Sequence, residues 1–180
     1  LFFFTHKPQS PILSGLVGSE MCIRDRVGLR GYWPGEEGFK WMRENNMRYH
    51  TMAEIERDGW DVVMDRILNE ALDGPEYLYI SFDIDVLDPA YTPGTGTPVA
   101  AGLTPREVFP LLRTLCSENS LVGFDLVELN PLLDPGYTTV MNSGYIVQEC
   151  MTGIAMRKAG IVERGYLSPL TTEDNEPDPE

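Results

Sequence analysis

The sequence predicts an α/β protein, a parallel sheet with helices packed on it. Three observations predict this class. From Val27 onward the local signals run strand, helix, strand, helix, an order that joins parallel strands through helical crossovers. The runs Tyr77–Phe82 and Leu121–Val127 are apolar and aromatic, the pattern of strands buried on both faces. The segments between them set apolar residues on one helical face. With 180 residues, 42% hydrophobic and 23% charged, the chain has the length and apolar content of one packed domain, which excludes fibrous, collagen-like and wholly disordered classes.

Each element has its own signal. Val27-Gly28-Leu29-Arg30-Gly31 reads as the end of a strand entering a Gly/Pro loop through Pro34-Gly35, and Glu37 to Asn45 reads as a short helix. Thr51-Met52-Ala53-Glu54 has the form of a capping box. After Gly59, the residues Trp60, Val63, Met64, Ile67, Leu68 and Ala71 fall on one helix face, and Gly74-Pro75 ends it. A Gly/Pro-rich loop runs from Pro89 to Gly102. Thr104-Pro105-Arg106-Glu107 then opens a helix with Val108, Leu111, Leu112 and Leu115 as its apolar face. A long helix is predicted from Thr138 to Lys158, stopped at Gly160 after the basic pair Arg157-Lys158. Residues 166–180 form an acidic tail predicted to be disordered, with five acidic residues and two prolines in Glu173–Glu180.

The amino-terminal tract fits none of this. Leu1 to Pro8 has neither strand nor helix period. Leu16 to Arg26 resembles a translated adaptor sequence found at the broken ends of assembled reads. A secretory signal is the rival reading, but the tract lacks a basic start and a small-residue cleavage site. Residues 1–26 are therefore set apart as a non-native tract, with a folded unit expected over 27–165.

Fourteen Lys and Arg against twenty-eight Asp and Glu give a net charge of −14. Such a surface carries no electrostatic footprint for nucleic acid and repels anionic lipid; it suits a cationic small molecule. No apolar stretch approaches the roughly 20 residues of a membrane helix. Cys22, Cys116 and Cys150 are few and far apart, which argues against a disulfide framework or zinc–thiolate site and fits a cytoplasmic protein. His6 and His50 are the only histidines, so no chemistry that needs a histidine cluster is complete in this chain.

In open α/β folds ligands sit beyond the carboxyl ends of the strands. Asp83-Ile84-Asp85 ends the first apolar run. A spacing of two puts both carboxylates on one strand face, about 6–7 Å of backbone apart, where a hard divalent cation relieves their repulsion. The alternative, that a strand-end Asp caps the following turn, stays open. Glu128 follows the second run; alternation points it away from Asp125 and the strand end brings it towards the same mouth, with a solvated or capping Glu as the bland reading. Thr97 lies in the loop between, where its hydroxyl either binds a ligand or holds the loop.

Ser81-Phe82-Asp83-Ile84-Asp85-Val86-Leu87-Asp88-Pro89, Pro93-Gly94-Thr95-Gly96-Thr97-Pro98, Gly102-Leu103-Thr104 and Phe124-Asp125-Leu126-Val127-Glu128-Leu129-Asn130-Pro131 together resemble the signature of the ureohydrolase family of arginases and agmatinases. Val27-Gly28-Leu29-Arg30 and the segment Tyr49 to Leu72 fit its pattern too. The resemblance implies a three-layer arginase-like fold, incomplete at the amino terminus, and a site with two manganese ions (nickel being another candidate). It implies Asp83 and Asp85 as metal ligands, Glu128 as the partner of the substrate guanidinium and Thr97 as a lining residue. The implied reaction is hydrolysis of a guanidino compound to urea and an amine, agmatine to putrescine first, with guanidine, guanidinobutyrate and arginine as alternatives. A homo-oligomer is implied for the complete enzyme.

The family's remaining ligands, a G-G-D-H-type histidine and a D-A-H-x-D-type cluster, have no counterpart here. His50 is expected to serve an ordinary surface or packing role. The chain is accordingly expected to be the carboxyl-terminal part of a ureohydrolase and inactive alone. Two other classes remain. A haloacid-dehalogenase-type phosphatase shares the D-x-D-x-V pattern of Asp83-Ile84-Asp85-Val86, but Lys158 is the only downstream lysine, at a helix end with no acidic pair on a strand after it. A non-catalytic ureohydrolase-like subunit would also lack the histidines.

Overall fold

A computed structural model of the chain describes residues 2–6, 22–32, 35–73 and 76–161. The strands are β1 (Phe2–His6), β2 (Cys22–Leu29), β3 (Arg48–Thr51), β4 (Tyr77–Asp83) and β5 (Ser120–Val127). The α-helices are α1 (Glu36–Glu44), α2 (Met52–Asp58), α3 (Trp60–Leu72), α4 (Pro105–Glu118) and α5 (Thr138–Ala159), and 3₁₀ turns occupy Ile84–Val86 and Pro131–Leu133.

One sheet has the order β3-β2-β1-β4-β5. β2 pairs with β3 and β4 with β5 in parallel. β1 lies between β2 and β4 and runs antiparallel to both. The predicted parallel arrangement thus holds for four strands, and β1 is the exception. β1 and the first part of β2 come from the tract set apart on sequence grounds. The pairing is made by main-chain groups, so an aperiodic sequence does not prevent it. The predicted helix stop at Gly74-Pro75, the loop residue Pro34 and the acidic tail lie outside the described residues.

Local chemistry sets the helix ends. Thr51 Oγ1 accepts from the Glu54 N–H at 3.1 Å, half of the predicted capping box. The Glu54 carboxylate does not return the bond; it faces His50 Nδ1 at 3.2 Å and pairs with Arg66. His50 is buried and has Glu70 on its other nitrogen at 2.9 Å, so it belongs to an ion cluster at the end of β3. The capping box of α4 is complete, with Glu107 Oε2 accepting from the Thr104 N–H at 2.6 Å. α5 ends at Gly160, whose φ of 73° supplies the left-handed cap.

The core lies on one side of β4. Leu78, Ile80 and Phe82 join Val63, Ile67 and Leu68 of α3 and Val108, Leu111, Leu112 and Leu115 of α4 in one buried cluster. α5 covers α4, and the contact depends on Gly153: a Cβ there would sit 2.3 Å from the Arg113 carbonyl oxygen. Arg113 pairs with Glu149 across the same interface, Nη2 to Oε1 at 2.7 Å.

Sequence predicted β4 and β5 to be buried on both faces, and this is corrected. Along β4 only alternate residues are buried; Tyr79, Ser81 and Asp83 are half-buried, and no residue of β5 is fully buried. β5 is paired on one side only among the described residues, which leaves it partly open. No helix among the described residues is long and apolar enough to cross a membrane.

Candidate functional site

The site is built where β4 ends. Asp83 is the last strand residue, and its carboxylate accepts from the Asp85 N–H at 3.1 Å. Asp85 therefore sits in a 3₁₀ turn and not at the strand position that a spacing of two implied. Buried Ile84 and Val86 hold the turn against the core and leave Asp83 and Asp85 half-buried on the open side. Asp83 does cap a turn, as the alternative reading had it. Its carboxyl is nonetheless pushed up to about 6, by burial first and by the neighbouring Asp85 carboxylate as well. Two hard oxygen donors under mutual repulsion suit a divalent cation. They fit part of a donor set: among the described residues, no group of three or more His, Cys, Asp or Glu is placed to hold a metal ion.

Thr97 joins this pair directly. Its hydroxyl donates to Asp85 Oδ2 at 2.9 Å. The loop that carries it is tied at both ends. The Leu103 N–H donates to the Val86 carbonyl at 3.0 Å, and Asp88 accepts from Ala90 N–H and Gly102 N–H at 2.9 and 3.2 Å. Gly102 permits this closure, since a Cβ would sit 2.6 Å from Asp88 N. Further along, the Gly94 N–H donates to Thr139 Oγ1 at 2.7 Å and the Asn130 N–H to the Gly94 carbonyl at 2.8 Å. The buried Thr95 hydroxyl beside them has no hydrogen-bond partner among the described residues.

Glu128 leaves β5 at the same end. Val127 pairs with Asp83 in register, and Leu129 bridges to Thr95, so Glu128 emerges between the β4 mouth and the Thr97 loop. Its φ of 64° is left-handed, uncommon for a non-glycine residue, so strand alternation does not set its direction. It is exposed and makes no hydrogen bond to the other three. The structure therefore links Asp83, Asp85 and Thr97, and places Glu128 at the same end without a hydrogen bond to them.

Three features escaped the sequence. Asp125, opposite Ser81 on the open face, accepts hydrogen bonds from Tyr79 OH and Ser81 Oγ. Asp88 braces the loop. Among the described residues Arg30 donates only to backbone carbonyls, including those of Asp85 and Val99 at 2.6 Å each. Carbonyl partners leave no trace in side-chain spacing. The available signal was Arg30 itself, a cation at a strand end that enters a loop.

A sequence profile of the arginase family matches residues 14–153. Proclavaminate amidinohydrolase of Streptomyces clavuligerus is 40% identical over 114 residues, covering 63% of this chain and 36% of that protein. The mitochondrial agmatinase of Gallus gallus is 36% identical over 126 residues, covering 70% of this chain and 36% of its own. The native arginase structure from Bacillus caldovelox superposes with a TM-score of 0.63 at 30% identity, covering 72% of this chain and 42% of that one. The chain thus spans less than half the length of each of these relatives. The matched stretch contains Asp83, Asp85, Thr97 and Glu128, and on this match the chain belongs to the arginase family.

Proposed function

We propose that the chain is the carboxyl-terminal part of a cytoplasmic, oligomeric ureohydrolase that hydrolyses a guanidino compound to urea and an amine, with agmatine, giving putrescine, as the leading substrate. The carrying observation is the cluster at the end of β4: Asp83 and Asp85 joined through a turn, Thr97 bonded to Asp85, and Glu128 at the same mouth. Family membership over that stretch sets aside the phosphatase alternative for Asp83-Ile84-Asp85.

Asp83 and Asp85 would hold divalent cations, manganese first and nickel as the alternative, with the remaining donors supplied from outside the described residues. When bound, two such cations supply Lewis acidity and a water acidified toward neutral pH. Glu128 binds the planar guanidinium by charge-assisted hydrogen bonds and fixes its orientation. Its exposure and its lack of a bond to the other three leave the carboxylate available for a ligand. Thr97, tethered to Asp85, lines the pocket. Water adds its oxygen to the guanidinium carbon, the bond from that carbon to the substituted nitrogen breaks, and the amine leaves protonated. The charge of −14 favours a cationic substrate without choosing among them.

The deciding experiment reads the source DNA upstream of Val27, then measures urea release. A continuous frame with G-G-D-H-type and D-A-H-x-D-type motifs, and manganese-dependent urea release from agmatine by its product, is the expected result. The purified 180-residue chain is expected to release none; measurable release from it overturns the proposal that it is incomplete. A second reading, a non-catalytic subunit, draws on the absence of a three-donor group among the described residues. A parent frame that lacks both motifs would favour it.

A further inference from the structure

Arg30 stands just beyond β2, and among the described residues it makes no ion pair with a carboxylate. Nη2 donates to the carbonyls of Asp85 and Val99 at 2.6 Å each and of Leu87 at 3.3 Å. Nε donates to Val99 and Ala100 at 3.0 and 3.3 Å, and Nη1 reaches the Gly28 carbonyl at 3.5 Å. Apart from the Gly28 carbonyl of β2 itself, these carbonyls belong to two separate stretches. One is the turn that carries Asp85; the other is the loop just after Thr97.

The reach depends on a close approach. Gly28 has a φ of 86°, and a Cβ there would meet Val86 Cγ2 at 2.4 Å. The end of β2 therefore lies against the turn, and the guanidinium extends across it to the loop. The loop is otherwise closed at its ends through Asp88, Gly102 and Leu103, and held before Thr97 by the bonds of Gly94 and the bridge of Thr95 to Leu129. Between Thr97 and Gly102, the side of the loop on which Val99 and Ala100 lie, Arg30 is the side chain that reaches it among the described residues. Nη2 alone bridges the turn and the loop, and Nε and Nη1 add bonds to Val99, Ala100 and Gly28; a single ammonium nitrogen keeps the charge and does not supply all of these at once.

We infer that Arg30 is a positioning residue, whose fork sets the spacing between the turn bearing Asp85 and the loop bearing Thr97. The clamp stands on geometry alone; its consequence for catalysis rests on the function proposed above. Its loop partners are the carbonyls of Val99 and Ala100, whose peptide bonds are of the small-residue kind that elastase cuts.

The test is limited elastase proteolysis of the full 180-residue chain, read by mass spectrometry, for wild type, Arg30→Lys and Arg30→Ala. Both variants are expected to be cut after Val99, Ala100 or Ala101 about tenfold faster, with cleavage elsewhere and the urea unfolding midpoint nearly unchanged. Methylguanidinium is expected to restore resistance to the Ala variant, and methylammonium is not. Should the Ala variant fail to fold, the Lys variant decides. Unchanged cleavage at 99–101 in Arg30→Lys, or faster cleavage at every site, overturns the inference. The assay needs neither metal nor substrate. A completed parent without urea release would therefore overturn the function and leave the clamp standing, while intact activity and intact loop resistance in Arg30→Lys would do the reverse.

Discussion

The two faces of β4 differ sharply although their residues alternate along seven positions. Leu78, Ile80 and Phe82 are sealed beneath α3 and α4. Tyr79, Ser81 and Asp83 are half-buried and polar, and they share their face with Asp125. The sealed face holds the strand in place; the open face carries the carboxylates. A strand packed on one side can thus present a polar candidate site on the other, which makes stability and chemistry expected to separate at adjacent residues.

The sharpest way to break this comparison is to change neighbours on opposite faces. Phe82→Ala removes a fully buried ring from the cluster with α3 and α4, and is expected to cost about 3–5 kcal/mol in urea unfolding. Asp83→Asn, one residue away, keeps an acceptor for the Asp85 N–H and removes a carboxylate that burial and Asp85 both disfavour. It is expected to leave stability within about 0.5 kcal/mol or to raise it slightly, measured with a chelator present. Equal losses for both would show that the open face is part of the core.

A second substitution tests the polar side of the same strand. Asp125→Ala leaves Tyr79 OH and Ser81 Oγ without their acceptor. Both are half-buried and regain some water, so the expected loss is about 1–2 kcal/mol, below that of Phe82→Ala. Ser81→Ala removes one donor alone and is expected to cost less than Asp125→Ala in the same unfolding measurement.

Much of the sealed face was legible in the sequence, because helix faces and caps are local. The α3 and α4 stripes face the core as their periodicity predicted, with Trp60 and Met64 only partly buried against it, and Thr51, Thr104 and Gly160 sit at helix ends. The open face was less legible for physical reasons. Tyr79 and Ser81 read as part of a buried run, since nothing local says what covers the second side of a strand. Asp85 was placed by a strand period that stops at Asp83. Glu128 takes a left-handed conformation that no alternation rule anticipates. β1 pairs through backbone groups, which a side-chain pattern does not encode.

The smallest expected effect is a pair of pH slopes that separates the open face from the ion cluster at β3. Asp83 has a folded-state pKa of about 6 against an unfolded 3.8, so the folded chain binds more protons across that window. Stability therefore falls as pH rises from 3.8 towards 6, and Asp83→Asn is expected to flatten this limb. For His50, burial alone would push the imidazolium down, but the carboxylates of Glu70 and Glu54 outweigh it and hold its pKa above 6.5. Its contribution is complete below 6.5 and is lost as pH climbs through the raised value; His50→Gln is expected to flatten that upper limb only. Urea midpoints measured across both windows with a chelator check this. If either variant flattened the other's limb, the two regions would be electrostatically coupled, and the independence of the site from the ion cluster at β3 would fail.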